Sequence, residues 1–144
     1  MRQTSKSEFV EVILDDDASR AIAWNGVDIA VDCLDSITSR FDLEKACLKA
    51  RIPMVSAAIG GTSGQVTVVY PGDPGLTKIY GSPDTVADRG IEKTLGTLPF
   101  AAISLAAMEC AEVVGVAIGR DGGLRNRLLI TDLFDHSMDV VELG

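Results

Sequence analysis

The sequence predicts an α/β fold whose sheet is mainly parallel at first and is continued by antiparallel carboxyl-terminal strands. Two observations carry that expectation. From Glu8 to Ile59, apolar runs of strand length alternate with segments of helical period, the pattern of parallel βαβ units with right-handed crossovers. Beyond Gln65 the texture changes to a short strand, a long apolar helix and a closing pair of strands. At 144 residues the chain is read as a single domain, 1–144, long enough to bury about 70% of the surface its unfolded form exposes.

The elements follow in order. Glu8 to Leu14, EFVEVIL, is β-branched and apolar, a strand. One of Asp15, Asp16 and Asp17 caps a short helix through Trp24, which Asn25-Gly26 ends. Val27 to Cys33 is a second strand. Asp35 to Arg51 is an amphipathic helix, with Ile37, Phe41, Leu43, Ala46, Cys47 and Ala50 near helical spacing and Ile52-Pro53 as its breaker. Met54 to Ile59 is the third strand, with Gly60, Gly61 and Gly64 read as turn glycines. Gln65 to Tyr70 is a strand, and Pro71 to Lys93 a proline- and glycine-rich loop. Leu98 to Ile118 is long enough to span a bilayer, but Glu109 and Glu112 interrupt it, so it is read as a buried core helix. Arg127 to Phe134 and Met138 to Leu143 form a hairpin around Asp135-His136-Ser137.

Charge narrows the function. Lys plus Arg number 13 and Asp plus Glu 21, a net charge of −8. That excludes a phosphate-backbone binder and a basic membrane-surface helix, so neither nucleic acid nor membrane is an expected partner. Cys33, Cys47 and Cys110 have no C-x-x-C spacing, which argues against a disulfide framework and a thiolate zinc site. Reduced, buried thiols in the cytoplasm are expected.

The most informative local feature is Asp32-Cys33-Leu34-Asp35 at the carboxyl end of an apolar strand. Ligands of parallel α/β sheets sit beyond such strand ends, and a carboxylate there can hold Mg²⁺ beside a nucleotide phosphate. The plainer reading is that Asp35 caps the helix that follows. Arg40, five residues on, reaches a phosphate or is a solvated charge. Single His136 is read as a hairpin-tip residue. Glu109 and Glu112, at i and i+3, are a metal pair or, more simply, polar residues at a partner interface.

These segments together resemble the ThiF/MoeB/HesA family of bacterial relatives of ubiquitin-activating enzymes. VDIAVDCLDSITSRF resembles the family's D-x-x-D-N-x-x-x-R motif. ACLKARIPMVSAAIGGTSGQVTVVYPG, LGTLPFAAISLAAMECAEVVG and RLLITDLFDHSMDVVEL resemble its later stretches, so the match runs from about Glu8 to Leu143. The resemblance implies a Rossmann-like sheet, here truncated, and ATP-dependent adenylation of the carboxyl terminus of a ubiquitin-fold sulfur-carrier protein. It implies Mg²⁺ held by Asp35, Arg40 as the motif arginine, Leu14 and Asp15 beside the adenine, and a homodimer through the Leu98–Ile118 helix or the closing hairpin.

The departures sharpen the expectation. The family's opening strand, G-x-G-x-x-G turn and helix, its second strand, N-L-x-R-Q segment and lysine are not found, apart from Arg2-Gln3. Ser36 replaces the usual Asn. Gly75 and Lys78 stand where a zinc-binding C-x-x-C would fall, so no zinc is expected. Pro71 to Lys93 has no cysteine to serve as a nucleophile, and Glu112 stands where the family has lysine. The chain is thus expected to be the carboxyl-terminal portion of such an adenylyltransferase, inactive alone. The alternative is a non-catalytic remnant serving as a dimerisation or protein-binding module. In the truncated sheet, Glu8–Leu14 is expected to pair in parallel with Val27–Cys33 or to swap to another chain.

Overall fold

A computed structural model describes residues 26–85 and 96–144. Strand β1, Ala30–Asp32, is followed by helix α1, Ile37–Ala50, and by strands β2, Met54–Gly60, and β3, Ser63–Val69. A single-turn helix α2, Thr77–Tyr80, precedes the long helix α3, Pro99–Ala117, and strands β4, Arg127–Asp132, and β5, Ser137–Glu142. The strands form one sheet in the order β1-β2-β3-β4-β5. Only β1–β2 is a parallel pair; the other three pairings are antiparallel. The α/β class and the antiparallel carboxyl-terminal strands are as expected, whereas the described part of the sheet is mostly antiparallel. Glu8–Leu14, Leu14 and Asp15 lie outside the described residues, and so does the short helix expected through Trp24.

Boundaries moved for physical reasons. The expected strand Val27–Cys33 is ladder-bonded only from Ala30, because β2 begins opposite it: Ala30 pairs with Met54, just after Pro53. Helix α1 starts at Ile37, two residues later than expected. Ser36 is its N-cap, and its hydroxyl accepts a 3.1 Å hydrogen bond from the Ser39 N–H. At the other end Arg51 takes the left-handed conformation, and Ile52 N–H closes on the Cys47 carbonyl at 3.1 Å.

The core lies in two layers because strand side chains alternate faces. Met54 and Val69 point to α1 and α2, joining Ala30, Leu43, Ala46, Cys47 and Leu76. Val55, Val66, Val68 and Leu129 point to the opposite face, where Leu105 of α3 and Leu124 complete the cluster. Helix α3 is buried on one stripe only, through Ala101, Leu105, Glu109, Glu112 and Gly115. It is therefore not the wholly buried core helix expected from its composition. Its other side exposes Phe100, Ile103, Val114 and Ile118.

Gly60 and Gly64 are strand residues rather than turn glycines. A Cβ on Gly64 would overlap Leu105 Cδ2 and lie 2.6 Å from its Cγ. The absent side chain is what lets α3 seat against β3. We expect Gly64→Ala to destabilise the fold by about 1–3 kcal/mol, as overpacking does, read from urea denaturation.

Candidate functional site

The carboxyl end of β1 is built around a buried ion pair. Asp32 is fully buried and Arg40 nearly so. Arg40 Nη1 donates to Asp32 Oδ2 at 2.7 Å and to the Ala57 carbonyl at 2.6 Å, while Nη2 donates to the Leu34 carbonyl. Ser56, the register partner of Asp32 on β2, donates its hydroxyl to Oδ2 at 2.6 Å. Asp32 Oδ1 accepts the Leu34 N–H at 3.0 Å. Both polar groups of the Leu34 backbone are thus held by one ion pair, and Asp35 is the next residue out.

Asp35 itself is exposed, and among the described residues no hydrogen bond or ion pair holds its carboxylate. Ser36 has taken the capping role that a simpler reading gave to Asp35. An unpaired carboxylate beyond the end of a parallel strand suits a hard cation such as Mg²⁺ as one oxygen ligand. No cluster of three His, Cys, Asp or Glu among the described residues could hold a metal unaided. Any Mg²⁺ at Asp35 would therefore take further oxygens from water or from phosphates. Arg40 does not fit the solvated charge or the phosphate contact expected of it: its terminal nitrogens are turned inward onto Asp32 and two carbonyls.

The remaining polar candidates resolve as follows. Glu109 and Glu112 face inward, not toward a partner. Glu112 accepts the Leu124 N–H at 2.9 Å and Arg120 Nη2 at 2.6 Å, which ties α3 to the loop before β4. Glu109 lies against the β1 turn, where Cys33 Sγ donates to its Oε2 at 3.9 Å. Cys47 alone of the three cysteines is buried, and burial pushes its thiol up to about 12. Cys33 and Cys110 are exposed, against the expectation of buried thiols. His136 occupies the exposed turn between β4 and β5 with φ 52°. A cavity of about 420 Å³ between α1 and the loop after β3, lined by Phe41, Leu48 and Pro74, has neither Asp35 nor Arg40 in its wall.

The ThiF family model matches residues 4–144. The chain belongs to the ThiF family. As a ThiF-family chain it is 34% identical over 109 residues to the adenylyltransferase and sulfurtransferase MOCS3 of Drosophila ananassae, covering 73% of this chain and 24% of that protein. It is 29% identical over 119 residues to a SAMP-activating enzyme E1 of Haloferax volcanii, covering 81% of this chain and 43% of that one. The chain thus spans about a quarter to two-fifths of the length of these curated relatives. Among solved structures, Escherichia coli MccB with ATP superposes with a TM-score of 0.68 at 17% identity, over 94% of this chain and 42% of that one. That likeness shows a ThiF-like fold.

Sequence reasoning found Asp32, Asp35 and Arg40 but assigned the arginine outward. Ser56 and Glu109 were missed as members of the cluster. A signal existed for Ser56, the polar residue in the otherwise apolar strand MVSAAIG. We expect Arg40→Met to leave Asp32 as an unpaired buried charge and to cost about 3–5 kcal/mol of stability by urea denaturation. Arg40→Lys, with one point-like head in place of a fork, recovers only part of this.

Proposed function

We propose that the chain forms part of an ATP-dependent adenylyltransferase that activates the carboxyl-terminal carboxylate of a ubiquitin-fold sulfur-carrier protein, in the cytoplasm. Membership of the ThiF family and the names of the two relatives support the reaction class. The observation that carries the site is the unpaired Asp35 carboxylate at the end of a clamped strand. In that reaction a carrier carboxylate oxygen bonds to the α-phosphorus of ATP as the α–β anhydride breaks and pyrophosphate leaves. Mg²⁺, when bound, neutralises charge on the phosphates. Asp35 supplies one oxygen ligand, and Arg40 acts through the backbone, fixing Leu34 and hence the direction of Asp35.

The 144 residues contain no G-x-G-x-x-G turn to serve as a helix-terminal phosphate cradle, and their net charge of −8 repels a nucleotide. We expect the chain alone to bind ATP only with Mg²⁺, with a Kd of about 1 mM or weaker. NMR titration of the chain with ATP, with and without Mg²⁺, is the measurement. Asp35→Ala should weaken Mg²⁺-dependent binding at least about tenfold, or 1.4 kcal/mol. Unchanged binding in Asp35→Ala would overturn the assignment of the site.

We also propose that two copies associate through α3. Its exposed side carries Phe100, Ile103, Ala107, Cys110, Ala111, Val114 and Ile118, an uncharged stripe at spacings of three and four with small residues at its centre. Such a stripe is self-complementary about a two-fold axis. Light scattering at micromolar concentration should give a dimer mass for the native chain and a monomer mass for Ile103→Lys; a monomeric native chain would refute the association.

A further inference from the structure

One cation serves two buried carboxyl groups beneath the Asp35 turn. Arg40 faces both Asp32 and Glu109, but its terminal nitrogens are committed to Asp32 and to the Leu34 and Ala57 carbonyls. Glu109 is 6% exposed, and its Oε1 is buried with no hydrogen-bond partner. Its Oε2 is met by the Cys33 thiol, one residue beyond Asp32, and the Ala57 backbone also approaches the carboxyl. The charged groups facing Glu109 are Asp32 on β1 and Arg40 on α1; the Ala57 backbone of β2 and Cys33 complete its surroundings, with Cys110 of α3 beside Cys33. A second anion here would lie in a desolvated place where the one cation facing it among the described residues is already used.

We propose that Glu109 is a positioning residue for the Asp32–Asp35 turn: as an uncharged acid it packs under the turn without opposing Asp32, and as an anion it repels Asp32 and displaces the turn. With the proton on the orphan Oε1, Oε2 remains a carbonyl that accepts from Cys33. Loss of that proton sets a second carboxylate charge against that of Asp32. Burial is the main cause that pushes the Glu109 carboxyl up to about 7, with repulsion from Asp32 adding to it and Arg40 opposing. The folded chain therefore holds a proton between about pH 4.5 and 7 that the unfolded chain has released, so this contribution to stability is lost as pH rises through that interval. Any bearing on Mg²⁺ rests on the adenylyltransferase reading; the positioning of the turn does not.

The test is an NMR titration of the full chain from pH 5 to 8.5, following the Leu34 and Asp35 amides. In the native chain both should shift with a midpoint near pH 7. In Glu109→Gln, which keeps the shape and stays uncharged, they should remain at their low-pH positions throughout. A native chain whose two amides do not titrate, or an E109Q chain that titrates with the same midpoint, would overturn the proposal. The Glu109 carboxyl carbon, followed in the native chain, gives an answer independent of any variant: a midpoint near 4.5 would equally overturn it. Mn²⁺ serves as the metal probe. If Asp35 is not broadened by Mn²⁺ at either pH, the metal reading fails, while the Glu109 titration still decides the proposal.

Discussion

The buried pair of Asp32 and Arg40 is the interaction on which the rest of the site depends. It joins three elements at one point: β1 through Asp32, β2 through Ser56 and the Ala57 carbonyl, and α1 through the arginine. Removing two charges from water is costly, and a pair of apolar residues would fill the space with less penalty. What apolar residues would not do is hold a turn by both its N–H and its carbonyl. The planar guanidinium fork reaches several acceptors in fixed directions. The ion pair therefore converts charge into backbone geometry, and that geometry sets where the exposed Asp35 stands.

The two faces of the sheet meet different demands. Toward α1 and α2 the layer is apolar apart from the Asp32–Arg40 pair and Ser56, with Met54 and Leu76 fully buried. Toward α3 the contact is close enough that Gly64 is needed under Leu105, and the helix brings two glutamates into the same interface. These two acids have opposite solutions. Glu112 is satisfied by an arginine and a backbone amide. Glu109 has a thiol on Oε2, the Ala57 backbone nearby, and no hydrogen-bond partner on the buried Oε1. The buried polar stripe on α3 thus contains one anchoring residue and one residue poised to change its charge.

The fold was largely legible because its signals are periodic. Strand runs such as QVTVV and the helical spacing from Ile37 to Cys47 located most elements, with errors where a partner strand or a cap decided the boundary. Ala30 begins β1 because Met54 lies opposite it, which no local pattern contains. Ser36 begins α1 because its hydroxyl accepts the Ser39 N–H. At the site, Asp32, Asp35 and Arg40 were visible as a spaced motif, but spacing does not say which way a side chain turns. An arginine eight residues beyond an aspartate is a surface charge in most helices; here the strand end lies directly under the helix. Glu109 lies 76 residues from Cys33, a contact that only the tertiary fold creates.

Strand β5 has both faces exposed and borders no further strand in the described sheet. Free strand edges recruit other chains, and proteins guard them with charge. Here Asp139 and Glu142 stand on opposite faces among Met138, Val140 and Val141, so the charged residues of this strand are both carboxylates. The solubility of this edge is consequently a matter of like-charge repulsion, which ionic strength controls. In a chain with 21 acidic and 13 basic residues the overall charge has the same sign as the guard, so dissolved salt screens both at once. Colloidal stability and edge protection are then withdrawn together, leaving an apolar ribbon with open hydrogen-bonding groups as the stickiest part of the molecule.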